Sequence, residues 1–178
     1  MDRTQRGVAV GMASALLLAL AIFTLAAVFG AQRMAASAAV ELRLALLAGC
    51  VMGPAVALLV CIARLAKHRF FTPQDIDGSA LTGGTPRARL LQALLQNTLE
   101  QLALALPVYM ACALIFPARW LVLIPAAALM FLLGRVLFYA GYAGGAPSRA
   151  FGFALTFYPT ALLAGMAIVV LAAKAIPA

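Results

Sequence analysis

Arg89, Gln92, Gln96 and Glu100 stand at helical spacing within the segment Arg89-Leu-Leu-Gln-Ala-Leu-Leu-Gln-Asn-Thr-Leu-Glu-Gln101. At about 100° per residue they share one narrow face, with Asn97 and Gln101 on its flank. Arg135, Tyr139 and Tyr142 follow at i, i+4 and i+7, and Arg149 comes seven residues after Tyr142. Three arginines, Arg89, Arg135 and Arg149, thus face the single acid of the set, Glu100. Guanidinium forks suit carboxylates and phosphates. A surplus of them implies an anion from outside, either a carboxylate-bearing small molecule such as a peptide or an anionic lipid headgroup. The competing reading is internal: Glu100 pairs with Arg135 and the amides satisfy one another across helices.

What must position these residues is a bilayer. The 178 residues are 66% hydrophobic and 10% charged, with a mean hydropathy of +1.06. Soluble domains average about half apolar and about a quarter charged, so the composition is that of an integral membrane protein. Glu100 lies eleven residues past Arg89, about 16 Å along a helix and about halfway into a hydrocarbon core of about 30 Å. A polar stripe that deep must face protein, water or ligand. The net charge of +8 comes from basic residues that flank apolar spans. It sets topology and meets lipid headgroups rather than nucleic acid. Cys50, Cys61 and Cys112 lie inside apolar runs and read as small buried hydrophobes, and one histidine, His68, builds no metal site with them.

Five spans follow in order, giving an all-α membrane bundle. Gly7 to Gly30 is an apolar helix longer than a signal h-region, which favours a retained first span over a cleaved leader. Residues 1–38 form this extra N-terminal helix (a possible signal-anchor) and its connector; residues 39–178 form a four-helix domain. The second span runs from about Leu42 to Ala66 and ends in a cuff of Arg64, Lys67, His68 and Arg69. Thr72 to Pro86 is a polar loop in which Asp75-Ile76-Asp77-Gly78 reads as a solvated turn, since the further ligands of a calcium loop are missing. The remaining spans run from Ala88 to about Phe116, from Trp120 to Gly141, and from Arg149 to near Lys174. With the N-terminus inside, Arg3, Arg6, Arg64, Lys67, Arg69, Arg87, Arg89 and Arg149 fall on the inner side. Arg33, Arg43, Arg119 and Lys174 fall outside, so eight cations oppose four, as the positive-inside rule requires.

Leu95-Leu-Gln-Asn97-Thr-Leu-Glu100-Gln, Gly134-Arg135-Val-Leu-Phe-Tyr-Ala-Gly141-Tyr142 and Arg149-Ala-Phe-Gly-Phe-Ala-Leu-Thr-Phe-Tyr-Pro159 together resemble the membrane-associated proteins in eicosanoid and glutathione metabolism, MAPEG. The resemblance covers about Leu42 to Ala172, and the loop run Gln74 to Gly78 is similar to a bacterial branch of the family. It implies a homotrimer of four-helix subunits in the bacterial inner membrane, with glutathione bound between neighbours on the cytoplasmic side. Arg149 would then be the catalytic arginine that stabilises the glutathione thiolate for attack on lipophilic electrophiles. Asn97, Glu100, Arg135, Tyr139 and Tyr142, with Arg89 and Gln92 at the inner end, would hold the tripeptide. The family arginine one turn before the asparagine is Ala93 here, and the tyrosine three after Arg135 is Phe138. Those two departures motivate the alternative, a non-catalytic lipid-binding or accessory subunit with the same fold.

Overall fold

The computed structural model describes residues 1–30, 32, 39–78 and 83–175. Arg33 and most of the connector after the first span lie outside the described residues. Among the described residues the chain forms five long helices and no strand: α1 (Arg3–Gly30), α2 (Val40–Phe71), α3 (Pro86–Ile115), α4 (Leu123–Gly141) and α5 (Ala146–Ala175). All five are long and apolar enough to cross a membrane. The five expected spans are thus present, extended mainly at their ends. The basic cuff of Arg64, Lys67, His68 and Arg69 is the last two turns of α2 rather than a loop.

Local chemistry sets the ends. Thr85 caps α3, its hydroxyl accepting from the Ala88 N–H at 3.2 Å, and Pro86 occupies the first turn. At the other end of α3, Arg43 donates to the carbonyls of Ala113 and Phe116, both at 2.9 Å, and Lys174 donates to Ile115 O at 3.0 Å. Two of the cations expected on the outer side therefore sit at the negative end of the α3 dipole. Gly145 turns the chain from α4 into α5 at φ 88°, a conformation glycine adopts without strain.

α4 lies at the centre, packed on α5 and α2, while α1 packs mainly on α5. The α4–α5 contact is close because two glycines face each other. A Cβ on Gly152 would strike the Phe138 N and Gly134 O, and one on Gly134 would strike the Thr156 hydroxyl. Small residues at such crossings are how bilayer helices gain packing without a hydrophobic drive between them. Leu59, Leu133, Val136 and Val169 point outward, as lipid-facing side chains should. Cys50, Cys61 and Cys112 are free and buried.

The turn after α2 departs from expectation. Asp75 is not solvated but 2% exposed. Its carboxylate accepts from the Thr85 N–H at 2.9 Å and the Thr85 hydroxyl at 2.7 Å, and it meets His68 Nε2 at 2.9 Å. A Cβ on Gly84 would lie 2.9 Å from Asp75 Oδ1, so the carboxylate fits because that residue is glycine. The two hydrogen bonds from Thr85 hold the Asp75 carboxyl below its usual range, and His68 adds to this. With a depressed folded value, the anionic anchor is fully present above the ordinary carboxylate range and is lost as pH falls through the depressed value. Asp75→Asn is expected to loosen the start of α3. Amide exchange across Thr85 to Arg89 should rise at neutral pH, with little change in the parent until strongly acid conditions.

Candidate functional site

Arg135 occupies the middle of the arrangement. It leaves α4 about 10 Å from the C-terminal end of the helix, seven residues before Tyr142, and is 1% exposed. Its Nη1 donates to Asn97 Oδ1 at 2.7 Å and its Nε to Thr156 Oγ1 at 3.0 Å. The guanidinium carbon lies 4.6 Å from the Phe138 ring centroid and 5.9 Å from that of Phe131, cation–π contacts that are worth most when desolvated. Nη2 is buried and has no hydrogen-bond partner among the described residues. Arg135 thus ties α3, α4 and α5 together through neutral acceptors and rings.

In front of Arg135 opens a cleft of about 380 Å³, lined by Val8, Met12, Asn97, Phe138, Tyr142, Arg149 and neighbouring α5 residues. Arg149 stands in the first turn of α5 with its guanidinium 4.4 Å from the centroid of the Tyr142 ring. That stack fixes a flexible side chain at the positive end of a helix dipole, where both charge and dipole favour an anion. Among the described residues no acid lines the cleft. At about 300–1,000 Å³ for ligand pockets, its volume falls in the range for a small molecule.

Of the residues singled out in the sequence, Asn97, Tyr142 and Arg149 line this cleft and Arg135 stands directly behind it. The others lie elsewhere in the chain. Glu100 does not reach Arg135; it is exposed and accepts from Gln96 Nε2 at 2.9 Å. Gln92 accepts from Arg69 Nη2 at 3.2 Å, which joins α3 to α2, and Arg89 is exposed. Tyr139 turns away from the cleft, its hydroxyl 2.9 Å from both Cys61 Sγ and Thr98 Oγ1. The physical reason is angular. From Arg135, Tyr142 lies about 20° and Phe138 about 60° to one side of the helix, whereas Tyr139 lies about 40° to the other.

Sequence reasoning missed Thr156, Val8 and Met12, and it named Phe138 only as a departure from the family tyrosine. Thr156 was accessible, since it follows Arg149 by seven residues and so shares its face of α5. Nothing in the pattern of α1 marked Val8 and Met12, because an apolar helix carries no sign of which apolar residues meet a cavity.

A family model described as MAPEG family matches residues 9–169. The chain belongs to the MAPEG family. The match spans most of the chain and begins inside α1, ahead of the Leu42 start of the resemblance read from individual residues. Neither the curated proteins nor the solved structures compared with the chain gave a match. MAPEG membership, with five bilayer-length helices, makes this an integral membrane protein related to glutathione and eicosanoid metabolism.

Proposed function

We propose that the protein is a membrane-bound glutathione transferase or peroxidase acting on lipophilic electrophiles. The observation that carries the reading is the cleft itself: Arg149 stacked on Tyr142, Asn97 held by Arg135, and no acid among the lining residues. A carboxylate of the tripeptide is matched by Arg149 at the cleft, while Arg135, buried behind the lining, holds Asn97 toward it. A guanidinium beside the thiol favours thiolate, lowering a pKa that starts near about 8.5. The proton passes to water, the sulfur bonds to the electrophilic carbon, and the leaving group departs with its electron pair. With a lipid hydroperoxide, the thiolate attacks the terminal oxygen, and a second glutathione completes reduction to alcohol, water and glutathione disulfide.

The proposed assembly is a homotrimer in a bacterial inner membrane, with the N-terminus and the cleft cytoplasmic. The exposed pair Gln96–Glu100 supports a covering subunit, because a carboxylate facing lipid near the bilayer centre is costly. A neighbour packed there would also allow Glu100 to meet the amino end of a peptide in that neighbour's cleft. The charge asymmetry of the loops supports the orientation.

One observation favours the alternative of a non-catalytic lipid-binding subunit: within one chain Glu100 points away from the cleft. Turnover separates the two. Purified protein in lipid nanodiscs should conjugate glutathione to a chlorinated nitroaromatic. Arg149→Ala should lower kcat/KM for glutathione at least about 100-fold, the loss expected when one group that stabilises developing or resident negative charge is removed. Absence of turnover in the parent, or full turnover in Arg149→Ala, would contradict the reading.

A further inference from the structure

α1 has no place in the proposed chemistry, yet it forms a wall of the cleft. Its glycines seat it on the very turns of α5 that carry Arg149. A Cβ on Gly7 would lie 2.9 Å from Pro147 Cβ, and one on Gly11 would lie 3.2 Å from the Phe151 N and 3.3 Å from Ala150 Cβ. Deeper along the same face, Ala15 and Ala19 are fully buried at 0% exposure. The contact is therefore close along about three turns and holds α1 in one register. Each glycine is followed by a larger residue, Val8 and Met12, one turn apart, and both line the cleft.

The lining is consequently divided. Asn97, Tyr142 and Arg149 supply the polar part, with Arg135 behind; Val8, Met12 and Phe153 supply the apolar part. A peptide with two carboxylates and an ammonium is matched by the first part only. The second part suits a ligand with neither charge nor hydrogen-bonding demand. We propose that the Val8–Met12 face of α1 is the subsite for the lipophilic second substrate, and that these two residues set which apolar electrophile is accepted. The inference rests on the glutathione reading of the polar part. Methionine suits this task, since an unbranched thioether adapts its shape to different apolar surfaces.

The test compares two aryl chlorides of equal reactivity, one small and one carrying a long alkyl chain, on the full-length protein in nanodiscs. Met12→Trp fills the apolar part of the cleft. It should raise KM for the long-chain substrate about tenfold relative to the small one, the discrimination available from apolar pocket contacts. The readout is the ratio of the two kcat/KM values on each variant, in which any common loss of turnover cancels. Met12→Ala and Val8→Ala enlarge the space and should shift the preference the opposite way, which keeps the proposal testable should Met12→Trp fail to fold. If the parent turns over but the kcat/KM ratio of the two substrates is unchanged in the folded variants, α1 is only a packing element and the proposal is overturned. Loss of glutathione affinity in the Met12 variants would also overturn it, by placing the peptide against α1. A parent that does not bind glutathione overturns the reading of the polar part and this inference with it.

Discussion

Arg135→Leu is expected to leave the bundle folded and to weaken ligand binding about 100-fold. Two effects compete in the fold. Loss of the guanidinium leaves Asn97 Oδ1 and Thr156 Oγ1 without their donor, at about 1–3 kcal/mol for an acceptor that stays buried. Against this, a charge with no acid partner among the described residues no longer has to be held away from water, and replacing a buried charged group by a well-packed apolar one is often neutral or better. The acceptors also have other recourse. Thr156 already donates to Gly152 O at 3.0 Å, and Asn97 is only half-buried. The melting temperature should therefore change little.

Binding has no such compensation. Arg135 is the buried cation among the described residues, and Asn97 faces the cleft in the orientation that Nη1 imposes. A charge-assisted hydrogen bond contributes about 1.5–3 kcal/mol, so affinity for an anionic ligand should fall about 100-fold. Arg135→Lys should recover part of this, since one ammonium cannot reach both Asn97 and Thr156 in the planar fork geometry. A melting curve beside a binding isotherm checks both halves. A collapse of the fold with Arg135→Leu would mean that the residue is structural first.

Gly152→Ala gives the opposite signature, with fold and binding failing together. The added methyl would collide with the Phe138 N and come within 2.8 Å of Gly134 O and the Leu137 carbonyl carbon. These are backbone atoms, so no rotamer change relieves them, and α4 must move off α5. Overpacking ordinarily costs about 1–3 kcal/mol; a backbone-on-backbone clash at the centre of the bundle should reach the top of that range. The same shift carries Thr156 away from Arg135 and Arg149 away from Tyr142. Gly49→Ala and Gly165→Ala serve as controls, because nothing lies within 4 Å of either added Cβ. Both should be neutral, or slightly stabilising through helix propensity. A melting temperature for Gly152→Ala equal to the parent's would contradict the close α4–α5 contact.

Apolar runs of bilayer length, with prolines and glycines at their ends, make the five helices legible in the sequence. Placement of Arg135, Tyr142 and Arg149 toward the same end of the bundle, around the α4–α5 turn, is legible for the same reason, since rise per residue converts sequence position into depth. The azimuth of each side chain is the harder quantity. A helical wheel groups Arg89, Gln92, Gln96 and Glu100 correctly, but it does not say which neighbour that group faces. Within the chain the outer part of the stripe points away from the bundle, while Asn97 on its flank meets Arg135. Tyr139 is lost from the site to a rotation of about 60° from Tyr142, enough to exchange a ligand cleft for the Cys61–Thr98 interior. The burial of Asp75 is hidden in the sequence because its partners, Thr85 and His68, lie ten and seven residues away in the chain, across a turn that composition marks as solvated.

Equilibrium binding of radiolabelled glutathione to the purified protein in lipid nanodiscs tests the central claim most directly. Saturable binding is expected in the parent and should be lost in Arg149→Ala, while the variant keeps the parent's helicity and melting temperature. No detectable binding at millimolar glutathione, or equal binding by parent and variant, would contradict a glutathione site built on Arg149.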